Sequence, residues 1–366
     1  MVELSFGRRL LSMLAGTWPT RQPAPPAPAV ADSAGWRLLS MLAGSWPAFQ
    51  PHADRYRQAV QTPSHSAAST PRQSSPSAVD PADSRAETGK PYPAGKDLSD
   101  TDLSQLRLHT RKTGVDMTNA DLASADLRNA DLAGANLSGA DLVAADLRQA
   151  DLMFALSRHS FLTAADLRGA VLVGADLQQA ILGRANLADA DLRRMSLVAA
   201  DLREANLTGS DLRGAYLSWA SLSAADLTGA NLGGAVLTGA DLSGASLLRA
   251  VLVGADLQQA VLRRAALAGA NLSGANLRGT VLGGATLREA NLTGATLRQA
   301  DLTGADLTGA TLPALHELSE LTWSSETRWG RDATEILARS IKQGAAFILN
   351  PADPPAGWQA NALVDH

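Results

Sequence analysis

Cysteine is absent from this chain of 366 residues, which excludes a disulfide framework, a thiolate metal site and a cysteine nucleophile. An excess of one charge is absent too. The 32 Lys+Arg against 36 Asp+Glu leave a net −4, too near neutrality to imply a nucleic acid or an anionic membrane as partner. No run of 18 apolar residues occurs, so no membrane-spanning helix is expected. The six histidines (His52, His65, His109, His159, His316, His366) show no metal-ligand spacing, and no metal site is expected. The stretch "TGKPY" (Thr88 to Tyr92) lacks the glycine-rich approach and the following Ser/Thr of a phosphate loop. No cofactor and no enzymatic activity are therefore expected.

What is present is a period of five. In "ADLTGADLTGATL" (Ala300 to Leu312) leucine returns every fifth residue, with alanine two places before it and Asp, Asn or Thr between. The spacing fits neither regular structure. Five residues of α-helix turn the chain roughly 140° past a full turn, so the leucines would wind around every side. In a strand an odd spacing throws successive leucines onto opposite faces. The beat runs unbroken from Met117 to Leu312 as 40 pentapeptides, 38 of them centred on Leu, one on Met117 and one on Ser157. A chain that holds this pattern bends once per repeat.

Numbering each repeat from its central residue i, positions i−2 and i lie one pleat apart and point to the same side of a short extended segment. Ala and Leu then face inward and the residue between them faces out. Large or polar side chains at i−2 are few: Val115, Ser160, Met195, Ser210 and Thr280. Glycine fills i+2 in 18 of the 40 repeats, where its tolerance of unusual φ favours a corner. The Asp or Asn at i−1 suits hydrogen bonding to nearby backbone at a turn, and no catalytic carboxylate pair stands out among so many equivalents.

Tandem "A[D/N]LxG", as in Ala135-Asn136-Leu137-Ser138-Gly139, resembles the pentapeptide-repeat family. The resemblance covers about 115–312, and 97–350 with caps. It implies an all-β solenoid, a right-handed quadrilateral β-helix in which four repeats make one coil, here about ten coils. The copy of "VLVGADLQQAIL" (Val171 to Leu182) as "VLVGADLQQAVL" (Val251 to Leu262), 80 residues on, agrees with four repeats per coil. With strands ~4.8 Å apart, ten coils make a rod of roughly 48 Å.

The flanks differ in kind. Residues 1–60 hold "GRRLLSMLAGTWP" (Gly7 to Pro19) and its near copy "GWRLLSMLAGSWP" (Gly35 to Pro47). In the second copy Trp36, Leu38, Leu39, Met41, Leu42 and Trp46 form one apolar face over two to three helical turns. This predicts a disordered or partly helical extension that is either a docking motif or a segment packed on the protein itself. Duplication inland argues against an export signal, so a cytoplasmic location is expected. Residues 61–96, rich in Ser, Pro and Ala, read as a flexible linker. In 97–114, Leu98, Leu103 and Leu108 carry the beat out of phase, as a partial coil or N-terminal cap. Residues 313–366 predict a C-terminal cap and tail, with a helix near Asp332 to Gln343 and then a strand in "AAFIL". Here "TWSSETRW" (Thr322 to Trp329) resembles the tail that follows the repeats in many bacterial members. At Ser157–Phe161 the central leucine fails beside His159 and Ser160, and a bulge or small loop is expected there.

Twenty residues per coil place Arg128, Arg148 and Arg168 in one ladder, and Arg193 and Arg213 in another. Phe161 and Ile181 adjoin on consecutive coils, as do Val261 and Val281, while Tyr216 and Trp219 project outward. These residues are ordinary surface or a binding face on a rigid rod. The function expected is a non-enzymatic scaffold for an unidentified protein partner, with a homodimer through a terminal coil or cap open. The resemblance adds two alternatives: a mimic of duplex DNA that binds DNA gyrase or a related topoisomerase, of the quinolone-resistance type, and a secreted bacterial effector. Mimicry demands an anionic rod. Residues 115–312 carry 20 Asp+Glu against 15 Arg, whereas duplex DNA over ~48 Å carries about 28 charges. That difference ranks mimicry behind the scaffold.

Overall fold

The computed structural model describes residues 95–104, 115–314, 317–330 and 333–349. The duplicated motif with Trp36, Leu38, Leu39, Met41, Leu42 and Trp46, the segment 61–94, Leu108 and the tail beyond 349 lie outside the described residues.

Each pentapeptide makes a short straight side and a corner. The side is the i−1 residue, which bridges its counterpart in the next coil, parallel and 20 residues on, from Asp116↔Asn136 through Asn291↔Thr311. Twenty residues are four sides, so the tube is four-walled. The corner is a β-turn: the Ala140 amide donates to the Leu137 carbonyl at 3.0 Å, and the same bond recurs along the chain. Its third residue, at i+2, has positive φ at each of 39 consecutive corners, from Asn119 to Gly309. Positive φ there and nowhere else in the turn is the type II geometry, which glycine accepts without cost. The structure goes beyond the glycine pattern, since Phe154, His159 and Trp219 also adopt φ between 54° and 61°. Stacking outweighs their local strain of about 1 kcal/mol or more.

Stacking is cooperative because it leaves little backbone unpaired. The Leu137 amide donates to the Leu156 carbonyl (2.6 Å), Gly139 to Arg158 (2.9 Å) and Asn136 to Val115 (2.8 Å). The Asp or Asn at i−1 then accepts from the amide two residues on, as in Ala123 N–H to Asp121 Oδ1 at 3.2 Å and Ser138 N–H to Asn136 Oδ1 at 3.2 Å. This bond closes the start of the corner and accounts for the Asx preference.

Inside, Leu and Ala fill the tube to near-zero exposure. Each fully buried leucine contributes about 1.5–3 kcal/mol before ordering entropy. Hydroxyls at i−2 are satisfied within the wall: Ser210 donates to the Leu207 carbonyl (2.7 Å) and Thr280 to the Leu257 carbonyl (2.9 Å). The bulge expected at Ser157–Phe161 does not occur. Leu156 keeps the 20-residue register with Asn136 and Asp176, and Ser157 is buried at 1% exposure. Its hydroxyl lies 2.9 Å from that of Ser160, which donates to the Ser157 carbonyl at 2.7 Å. The polar pair satisfies itself inside the core, and the wall has no cause to open.

Toward the N-terminus, Asp97 and Asp102 bridge Asp121 and Asp126 at an offset of 24 residues, with Leu98 and Leu103 buried. At the other end, β1 (Thr322–Ser324), α1 (Ala333–Ala338), β2 (Ser340–Gln343) and β3 (Ala346–Leu349) follow in order. They form an antiparallel sheet of order β1-β3-β2. Thr322 bridges Asp301 and Arg328 bridges Asp306, so β1 and its sequel continue the stack. The next residues, Trp323 and Trp329, take the leucine position and are buried. Gly304 N–H donates to Ser324 Oγ and Thr327 Oγ1, both at 3.1 Å, where Gly284 uses a carbonyl of the next coil.

The helix expected to reach Gln343 stops at Ala338. Six helical residues hold little stability alone, and Ser340–Gln343 instead pairs with β3 through Gly344 at φ +62°, as a tight two-residue hairpin requires.

Candidate binding walls of the solenoid

The four walls are distinguished by their outward i−1 residues. Wall 1 carries 121, 141 and so on to 301; wall 2 carries 126 to 306; wall 3 carries 131 to 311; wall 4 carries 116 to 296. Side chains at i−1 and i+1 stand out from a wall, and those at i+2 ride its far corner.

Wall 2 holds the ladder of Arg128, Arg148 and Arg168. Arg128 binds Asp126 bidentately, with Nη2 to Oδ2 at 2.5 Å, and leans toward Asp146 at 3.7 Å. Arg148 repeats this with Asp146 at 2.6 Å and Asp166 at 3.8 Å, and Arg168 closes on Asp166 at 2.7 Å. The Arg128 hydrogen bond holds the Asp126 carboxyl below the usual carboxylate range, and Arg148 does the same for Asp146. Wall 3 repeats the scheme in Arg193 with Asp191 and Arg213 with Asp211, both at 2.6 Å. The arginines that the sequence singles out are thus neutralised in place. Exposed pairs of this kind contribute little each, and their alternating charge presents no strong field of either sign.

Wall 1 brings Phe161 onto Ile181 and Val261 onto Val281 as bridging neighbours. All four are half-buried, so less of each stands free.

Wall 4 differs. Tyr216 bridges Ser196 and Val236, and Tyr216 and Trp219 are 52% and 56% exposed. Over three coils the outward residues of this wall are Ser196, Val198, Tyr216, Ser218, Val236 and Thr238. None is charged. A Cβ built on Gly239 falls within 2.6–2.9 Å of three atoms of the Trp219 benzo ring. The indole therefore lies with one face on Gly239 and the other toward solvent, at a corner of φ +61°. The neutral zone ends at Asp176, paired with Arg158 at 2.6 Å, and at Asp256, which accepts from Asn276 Nδ2 at 3.0 Å.

Sequence reasoning missed Phe154 and Leu156, 64% and 46% exposed at the edge of the same wall. The signal was there: leucine stands at i−1 where Asp or Asn prevails, and phenylalanine at a corner that favours glycine. His159 points out at its corner while Ser157 and Ser160 are buried, so the three do not converge as a nucleophilic set. Among the described residues no group of three or more His, Asp or Glu side chains is placed to hold a metal ion, and no helix is long and apolar enough to cross a membrane.

The family model for pentapeptide repeats matches residues 113–152, 158–184, 180–218, 215–252, 245–284 and 275–312. No curated protein matches the chain significantly. Among solved structures, HetL, a pentapeptide repeat protein involved in heterocyst differentiation regulation from the cyanobacterium Nostoc sp. strain PCC 7120, is 36% identical. That alignment covers 61% of this chain and 92% of HetL, with a TM-score of 0.42. A pentapeptide repeat protein from the thylakoid lumen of Arabidopsis thaliana is 37% identical over 29% of this chain and 70% of its own, with a TM-score of 0.23. QnrB1, a plasmid-mediated fluoroquinolone resistance protein, is 19% identical over 53% and 96%, with a TM-score of 0.27.

Proposed function

The chain belongs to the pentapeptide-repeat family, with its right-handed quadrilateral β-helix, and from that premise we propose that it is a non-enzymatic scaffold whose wall 4 binds a protein partner. The observation that carries this reading is the pair of exposed rings, Tyr216 and Trp219, on an uncharged stretch three coils long. Aromatic anchors on a surface depleted of charge are what the centre of a protein interface needs. Rigidity adds to it, because a ring seated on Gly239 loses little freedom when a partner covers it. The cytoplasm is the location we assign, on the inland duplication of the N-terminal motif. Self-association through the cap would use β2, which pairs on one side alone.

Gyrase binding by DNA mimicry is the weaker reading, because aspartates and arginines alternate along walls 2 and 3 and break up the continuous anionic face that mimicry requires.

The test compares partners captured by the full chain with those captured by Tyr216→Ser/Trp219→Ser. Both side chains are more than half exposed, so the melting temperature stays within about a degree while the partner bound through wall 4 is lost by tenfold or more. Gly239→Ala drives a methyl group into the Trp219 ring and should shift tryptophan fluorescence and weaken the same partner. Unchanged capture by both variants would sink the assignment of wall 4.

A further inference from the structure

Most arginines of the solenoid are paired, and most of the exceptions cluster. Ten of the fifteen arginines between 115 and 312 hold a carboxylate within 4.0 Å. Arg278 reaches the Gln299 side chain. Of the four left, Arg249, Arg263 and Arg264 lie within a single coil step, and no described carboxylate pairs with them. All three are exposed. Arg263 stands on wall 1, Arg264 on the corner between walls 1 and 2, and Arg249 on the corner between walls 2 and 3. The stems of Arg249 and Arg264 run past the next coil's glycines, each Cγ 3.5 Å from where a Cβ of Gly269 or Gly284 would sit. Both stems thereby lean toward the next coil, at the two corners that bound wall 2.

A second observation falls at the same place. Leu248 and Val253, on either side of the Arg249 corner, are 38% and 42% exposed, whereas other aliphatics on these walls are half-buried. Unpaired guanidinium groups beside exposed aliphatics form a surface that is cationic and apolar together.

We propose that Arg249, Arg263 and Arg264, with Leu248 and Val253, form a second binding site, for an acidic protein segment that alternates carboxylates with aliphatic side chains. Carboxylates accept bidentate hydrogen bonds from arginine, and the aliphatic residues of such a segment cover Leu248 and Val253. A nucleic acid fits less well. The cationic zone extends only about 5 Å along the axis, and Asp241 on wall 1 and Glu289 on the Arg249 corner bound it. A phosphate chain would run past it onto those carboxylates, and no aromatic ring is present to stack a base. The site is on other walls than Tyr216 and Trp219, so either site can fail without the other.

Fluorescence anisotropy of a labelled twelve-residue Glu/Leu peptide, titrated with the full chain at about 50 mM salt, tests this. Micromolar binding is expected, weakened tenfold or more by Arg249→Gln/Arg263→Gln/Arg264→Gln and severalfold by Leu248→Ser. Arg128→Gln and Tyr216→Ser/Trp219→Ser should leave it unchanged, and circular dichroism melts verify that every variant folds. The proposal is overturned if the peptide does not bind, if the triple variant binds equally well, or if a Gln/Leu peptide competes equally. It is likewise overturned if a twelve-nucleotide deoxythymidine strand binds more tightly than the peptide, or if the wall 4 variant loses the peptide.

Discussion

Ser157 occupies a slot that leucine holds in 38 of 40 repeats, yet the backbone around it keeps the same ladder, with Ser157 N–H to the Asp176 carbonyl at 2.7 Å. The slot lies between Leu137 and Leu177 in a column of leucines, all at 0–1% exposure, so its walls already have leucine dimensions. Ser157→Leu should therefore raise stability by about 1.5–3 kcal/mol from the added apolar burial, while Ser160 keeps its bond to the Ser157 carbonyl. A lower melting temperature in that variant would mean that neighbours have closed over the site. From the sequence this serine reads as a break, because polarity at a core position normally costs stability. Its partner, Ser160 three residues on, meets it only once the turn is formed.

At the scale of elements, the cap shows how a solenoid ends. An open coil presents unpaired amides and carbonyls, an invitation to aggregation. Trp323 stacks on Phe347 at 4.4 Å and meets Trp329 edge-on at 5.8 Å, and its Nε1 donates to Ser340 Oγ at 2.9 Å. The wide rings roof the tube where leucines lined it, and Thr327 Oγ1 donates to the Leu302 carbonyl at 2.8 Å. Trp323→Ala should cost about 3–5 kcal/mol and expose the last coil. The expected outcome is a lower melting temperature with soluble aggregates on size-exclusion chromatography; a monodisperse variant with an unchanged melt would show that the cap is dispensable. Tail and repeats were distinguishable in the sequence because the beat stops at Pro313. The strand β3 was legible too, in "AAFIL", but β2 was not: Ser340–Gln343 has one apolar residue, Ile341, and reads as the end of the preceding helix until β3 pairs with it.

For the whole molecule, the aspartates set the response to acid. Asp126, Asp146, Asp191 and Asp211 have folded-state values lowered chiefly by hydrogen bonds from their arginines. A lowered folded value contributes stability that is present above the unfolded carboxylate value of about 3.9 and is lost as pH falls through the folded value. Thermal melts should be nearly flat from about pH 8 to 5 and decline below about pH 4. The decline should be modest, because these groups are partly exposed and solvent-screened. Melting temperatures that rise on acidification would contradict the ladder geometry.

The five-residue leucine beat determined by itself that the chain turns once per repeat and buries its leucines on one side, a local property written once per pentapeptide. The right hand and the four walls came from the family resemblance, not from the period. Which surface is free to act was decided in three dimensions. Arg128 is paired from within its own repeat, two residues from Asp126, with Asp146 of the next coil beyond it on wall 2. Arg249, by contrast, has no carboxylate in its repeat and lays its stem beside Gly269 of the next coil. A pairing two residues away is written in the sequence, but the neighbours that cover a side chain or leave it exposed lie about twenty positions on, across the hydrogen bonds that stack one coil on the next.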